Sequence, residues 1–103
     1  MTGVLEVVAE PHRRLILTLL LEGEKSAGEI VAALPLSQPG VSKHLKVLKD
    51  AGLVTVRRQA RQRLYRLCPD PLREIDAWLT PFRDAWNERL DALETHLDGM
   101  EET

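Results

Sequence analysis

The chain has 103 residues, 44% of them hydrophobic and 29% charged, which excludes a disordered or fibrous polymer and fits one small globular domain spanning 1–103. No apolar run nears the roughly 20 residues of a membrane span, no cationic-then-apolar leader is visible, and the lone Cys68 excludes an intrachain disulfide, so a cytoplasmic protein without membrane association is expected. The net charge of −2 hides an asymmetry: residues 30–69 hold eight Lys or Arg against one acid, a net +7, whereas residues 70–103 hold three Arg against ten acids, a net −7.

In chain order, Val4 to Ala9 is an apolar stretch that predicts a first helix. Glu10-Pro11 opens a second, because proline suits the first helical position; Leu15, Ile16, Leu19 and Leu20 give it an apolar stripe, and Gly23 ends it. Ser26-Ala27-Gly28-Glu29 has the S-x-x-E form of a capping box and starts a short third helix, broken at Pro35. Ser37 is the next N-cap candidate, with Pro39 in the first turn, and the fourth helix stops at Gly52. Two short helices joined by a tight turn are a helix-turn-helix pattern.

After Gly52 the apolar period changes from 3.6 to 2. Residues 53–58 and 62–67 read as two strands around Gln59-Ala60-Arg61, a basic hairpin placed where a wing follows a helix-turn-helix. Pro69 and Pro71 end it. A helix from Leu72 to Leu79 follows, and Thr80-Pro81 either caps a new helix or kinks the old one. Phe82, Trp86, Leu90, Leu93 and Leu97 then recur at spacings of 4, 4, 3 and 4, which makes one apolar seam.

Projected at 100° per residue, Val41, Leu45 and Leu48 of the fourth helix fall within about 60° and face a core. Ser42, Lys43, Lys46 and Lys49 fall on the opposite side, and Gln38 lies at the exposed N-terminal end. Such a helix can lie in the major groove of DNA, its N-terminal residues meeting base edges and its lysines meeting phosphates. Glutamine can pair with adenine, and lysine can reach guanine O6 and N7. Ser37, Gln38, Ser42, Lys43 and Lys46 are therefore the candidate contacts of a recognition helix, and Arg57, Arg58, Arg61 and Arg63 those of the wing. His44 projects beside the core face and reads as a partly buried structural histidine; His12 and His96 read as surface or interface residues.

The run from Leu36 to Val54, LSQPGVSKHLKVLKDAGLV, resembles the recognition-helix signature of the ArsR/SmtB family of winged-helix repressors. The resemblance extends through Glu10-Pro11-His12-Arg13-Arg14, the wing with Tyr65-Arg66-Leu67, and a Trp-containing C-terminal helix. It implies a dimer formed by terminal helices, residues 4–9 and 72–98, with two recognition helices meeting successive major grooves of an imperfect palindrome. It also implies base contacts from Gln38, Ser42 and Lys43, and wing contacts from Arg61 and its neighbours. The Cys-x-Cys metal pair of the family would fall on Ser26 and Gly28, and its C-terminal metal site would need more than His96 with Gly99 three residues on. No metal or other cofactor is expected, and no small-molecule effector is assigned. The wing tip carries Ala60 where the family often has glycine, which points to a longer or different turn.

The expected fold is thus mainly α with a small β-hairpin: a winged helix-turn-helix of five to six helices and a two-stranded wing. The expected function is sequence-specific repression by a homodimer on double-stranded DNA. Val4, Leu5, Val8, Trp78, Phe82, Trp86, Leu90, Leu93 and Leu97 are the candidate dimer interface. Nucleophile-base pairs, paired carboxylates on a plausible scaffold and glycine-rich phosphate loops are missing, so no enzyme is expected. The alternatives are a winged-helix module for protein–protein assembly and a redox-responsive repressor using Cys68.

Overall fold

The computed structural model describes residues 3–101. Helices α1 (Val4–Ala9) and α2 (Pro11–Leu20) lead into a two-residue strand β1 (Lys25–Ser26), then α3 (Ala27–Ala33), α4 (Gln38–Asp50), strands β2 (Val54–Gln59) and β3 (Gln62–Leu67), a short 3-10 turn (Asp70–Leu72) and a long helix α5 (Arg73–Glu101). The chain divides into two compact units, one ending at Arg73 and one made by the rest of α5.

Prolines and caps set the breaks. Glu10 precedes Pro11 and is held extended at ψ 121°, because the proline ring disfavours the α region for its predecessor. That separates α1 from α2, and the Glu10 carboxylate then caps α2 by accepting from the Arg13 N–H at 3.0 Å. Arg14 reaches back to the exposed end of α1 and donates to the Val8 and Ala9 carbonyls, each at 2.8 Å. The capping box of α3 forms as its sequence predicts: Ser26 Oγ accepts from the Glu29 N–H and the Glu29 carboxylate accepts from the Ser26 N–H. Leu34, before Pro35, leaves the helix in an extended conformation. At the end of α4, Gly52 adopts φ +77°. Its N–H bonds the Lys49 carbonyl and that of Leu53 bonds Leu48, the paired closure of a left-handed helix stop.

The core of the first unit is Val7 from α1; Ile16, Leu17 and Leu20 from α2; Ile30 from α3; Val41, Leu45 and Leu48 from α4; and Leu53 and Val54. The apolar face of α4 is thus the one its periodicity marks. On α2 the face is turned by one residue from the expected stripe: Leu17 is buried, Leu19 is half-buried and Leu15 is exposed. Residues 15–17 are all apolar, so their pattern does not distinguish the two phases.

Two further differences concern elements. The wing is part of a three-stranded antiparallel sheet in the order β1-β3-β2, because Lys25 and Ser26 pair with Tyr65 and Leu64. A two-residue strand has no periodicity to read. Of the two readings open at Thr80-Pro81, a new helix and a kink in the old one, the new helix is absent, and α5 runs as one helix through Pro81. A mid-helix proline removes one backbone donor and crowds the preceding turn. Here Thr80 Oγ1 and Arg83 Nη2 both donate to the Asp76 carbonyl, and Arg83 Nη1 holds the Asp76 carboxylate at 2.8 Å. These side-chain bonds brace the turn that precedes the proline, although the carbonyl left without its backbone donor by Pro81 is that of Ala77.

Candidate nucleic-acid interface

α4 enters through Ser37, whose Oγ accepts from the Gly40 N–H at 3.2 Å. The helix buries Val41, Leu45 and Leu48 and exposes Gln38, Ser42, Lys43, Lys46 and Lys49. The buried stripe fixes the rotation of the helix, so this polar row has to face away from the core.

The wing is a two-residue hairpin: Gln59 pairs with Gln62, and Ala60-Arg61 is the turn. Ala60 sits in the left-handed region at φ +56°. Alanine therefore takes the conformation usually given to glycine, and the turn is not lengthened. Alternation along the strands puts Val54, Val56, Tyr65 and Leu67 on one face, with Arg58 directly opposite Arg63 at its outer end. Like charges facing each other across a strand pair repel, and a polyanion brought to that end relieves the repulsion.

Arg63 and Tyr65 join the wing to the helices. Together with Ser42, Lys46 and Lys49 they line one cleft beside α4, and with Ser26, Gly28 and Ser42 they line another at the start of α3. Ser42 and Lys46 of the recognition helix and Arg63 of the wing therefore share one surface, whose linings hold three cations beside one acid, Asp50. Lys49 and Tyr65 belong to it as well. Lys49 is legible from the helical projection, whereas Tyr65 reads in sequence only as a strand residue.

Arg57 behaves differently. It points to the opposite face of the sheet from Arg63 and donates through Nε to the Glu24 carboxylate at 2.7 Å. Glu24 precedes β1, and nothing local in the sequence connects it with the wing. Arg61 is exposed at the wing tip. Among the interface candidates, Leu5 and the α5 residues Trp78, Phe82, Trp86, Leu90, Leu93 and Leu97 are exposed, at 44–62% of their full areas. Val4 and Val8 are half-buried against the core. Within α5 the Trp78 and Phe82 rings lie 5.0 Å apart. Cys68 is a free thiol of intermediate exposure, and its N–H bonds the Leu53 carbonyl.

Residues 10–56 match the family model of the bacterial regulatory protein, arsR family. The chain is 33% identical over 82 residues to the transcriptional repressor SdpR of Bacillus subtilis, an overlap of 80% of this chain and 91% of that protein. It belongs to the arsR family. Another relative, the biofilm growth-associated repressor of Agrobacterium fabrum, is 43% identical over 67 residues, 65% of this chain. The chain spans 57% of that relative's length. The crystal structure of a possible transcriptional regulator for arsenical resistance superposes with a TM-score of 0.74 at 41% identity, over 89% of this chain and 96% of the other. The winged helix-turn-helix architecture of this arsR-family chain is thereby shared with solved regulators, and the family is one of regulators, not of enzymes. No helix among the described residues is long and apolar enough to cross a membrane.

Proposed function

We propose that this chain is a transcriptional repressor that binds an imperfect palindrome in double-stranded DNA as a cytoplasmic homodimer. The observation that carries the reading is the shared basic surface of α4 and the wing, with Arg63 at the junction of both clefts. Gln38, Ser42 and Lys43, with Ser37 at the cap, occupy the N-terminal half of α4, the part that reaches base edges when a recognition helix lies in the major groove. Lys46, Arg57, Arg58, Arg61 and Arg63 meet phosphates in this reading, with Arg57 oriented by its bond to Glu24 and lining a cleft with Lys49, Arg58 and Arg63. The α5 seam, with Leu5, joins the protomers. Its large apolar side chains are too exposed to be stable facing water.

Salt-series titration of an operator duplex, selected from a random pool, and of a scrambled duplex tests the division of labour. Arg61→Ala should weaken both duplexes about equally and reduce the salt slope by about one. Gln38→Ala should cost about 1–3 kcal/mol on the operator and little on the scrambled duplex. Equal weakening of both duplexes by Gln38→Ala would remove the base-reading role. No salt-sensitive duplex binding at all would favour a protein–protein module.

A further inference from the structure

The N-terminus of α2 and the middle of α4 bring together three side chains that the DNA-binding surface does not use. The Glu10 Oε1 atom lies 3.0 Å from His12 Nδ1, and its Oε2 atom lies 3.8 Å from His44 Nε2. One donor atom from each residue falls within 4.8 Å of the other two, and the imidazole rings are 5.8 Å apart, centre to centre. We propose that Glu10, His12 and His44 form a binding site for a divalent transition ion of the zinc class, which fastens the recognition helix to the start of α2.

Donor chemistry selects the ion. Two imidazoles and a carboxylate suit zinc, cobalt or nickel, whereas magnesium and calcium take oxygen ligands throughout. Tetrahedral ligands about 2.0–2.2 Å from a zinc ion stand about 3.3–3.6 Å from one another. The 3.0 Å separation runs to Oε1 and the 3.8 Å one to Oε2, so the carboxylate spans the two imidazoles. The three donor atoms, within 4.8 Å of one another, must draw together around an ion, which rotation of the half-exposed His12 allows. His12 also keeps the site open to solvent, with 50% of its side chain exposed against 22% for His44 and 27% for Glu10. Three protein ligands leave a fourth position for water.

The site has an outer shell too. The Arg13 N–H donates to Glu10 Oε2 at 3.0 Å and orients the carboxylate, the role such bonds play around metal ligands. Burial pushes the Glu10 carboxyl up, but the Arg13 N–H and the neighbouring His12 and His44 together hold it below its usual value. These donors are separate from Ser26, Gly28 and His96, the positions where the sequence lacks metal ligands.

The test uses the full-length, tag-free chain, stripped with a chelator and titrated calorimetrically with zinc chloride in competition with a chromophoric chelator. The expected result is one ion per chain and a zinc-dependent rise in melting temperature. Since losing only an outer-shell partner weakens metal sites by about 10–100-fold, His12→Ala should weaken binding by at least about tenfold and abolish the thermal shift. Glu10→Gln, which can keep the cap to the Arg13 N–H, should do the same without unfolding the chain. His96→Ala and Cys68→Ser should leave zinc binding unchanged. Binding that survives His12→Ala, or that disappears with His96→Ala or Cys68→Ser, overturns the site, as does no binding at all. Duplex binding by His12→Ala in excess chelator should match the parent, so failure of the metal site leaves the DNA-binding reading standing.

Discussion

Ala60 turns the wing hairpin with a φ of +56°, a conformation that costs a non-glycine residue about 1–2 kcal/mol. Glycine removes that strain but gives the unfolded chain more freedom, worth about 0.4–1 kcal/mol in the opposite direction. Ala60→Gly is therefore expected to stabilise the protein by about 0.5–1 kcal/mol, read as a higher urea midpoint at constant slope. A lowered midpoint would mean that the alanine turn is unstrained. The same scale separates the wing arginines: Arg58 faces Arg63 across the strands, whereas Arg57 is already engaged by Glu24.

Among the elements, α3 shows how a short helix is held. Seven residues are too few for a stable isolated helix, so its capping box and the burial of Ile30 carry much of its stability. Ser26→Ala removes the acceptor for the Glu29 N–H and is expected to cost about 1 kcal/mol. The Ser26 N–H bond to the Glu29 carboxylate, followed by the Ser26 side-chain bond, holds the Glu29 carboxyl below its ordinary 4.5. A depressed folded-state value stabilises the protein above the unfolded value, and the contribution disappears as pH falls below 4.5 through the folded one. Glu10 has the same sign. Glu29→Gln should therefore flatten the fall in melting temperature on acidification below that pH, and an unchanged pH profile would show that the box adds nothing. On α5, by contrast, local rules leave two readings open. Thr80-Pro81 reads as a new cap or as a kink, and the helix runs on through Pro81 with Thr80 and Arg83 bonded to the Asp76 carbonyl.

At the scale of the whole molecule, α5 carries a row of large apolar side chains that the protomer leaves about half exposed. Burying the exposed half of each is worth about 0.8–1.5 kcal/mol before the entropic cost of association. Leu90→Lys, in the middle of the seam, should shift the protein to monomer at micromolar concentration in sedimentation equilibrium. It should weaken operator binding far more than binding to a single half-site. A parent chain that sediments as a monomer would overturn the dimer. Charge is arranged at the same scale: the basic middle forms the α4–wing surface, while the acids concentrate on the chain beyond it.

What the sequence by itself determined is local and periodic. Ser26, Ser37, Gly52 and the prolines in the first turns of α2 and α4 set helix ends through backbone geometry that each residue carries with it. The spacing of Val41, Leu45 and Leu48 fixed which face of α4 looks outward, and strand alternation announced the wing. Tertiary structure decided whatever depends on residues far apart in the chain. It recruited Lys25-Ser26 as a third strand, chose Leu17 over Leu15 for the core, and tied Arg57 to Glu24. It also set His12 and His44 around Glu10, across more than thirty residues of chain. In each case the deciding term is a hydrogen bond, an ion pair or a packing contact whose second partner has no fixed offset along the sequence. A periodicity cannot encode such a partner, and only the folded chain brings it within reach.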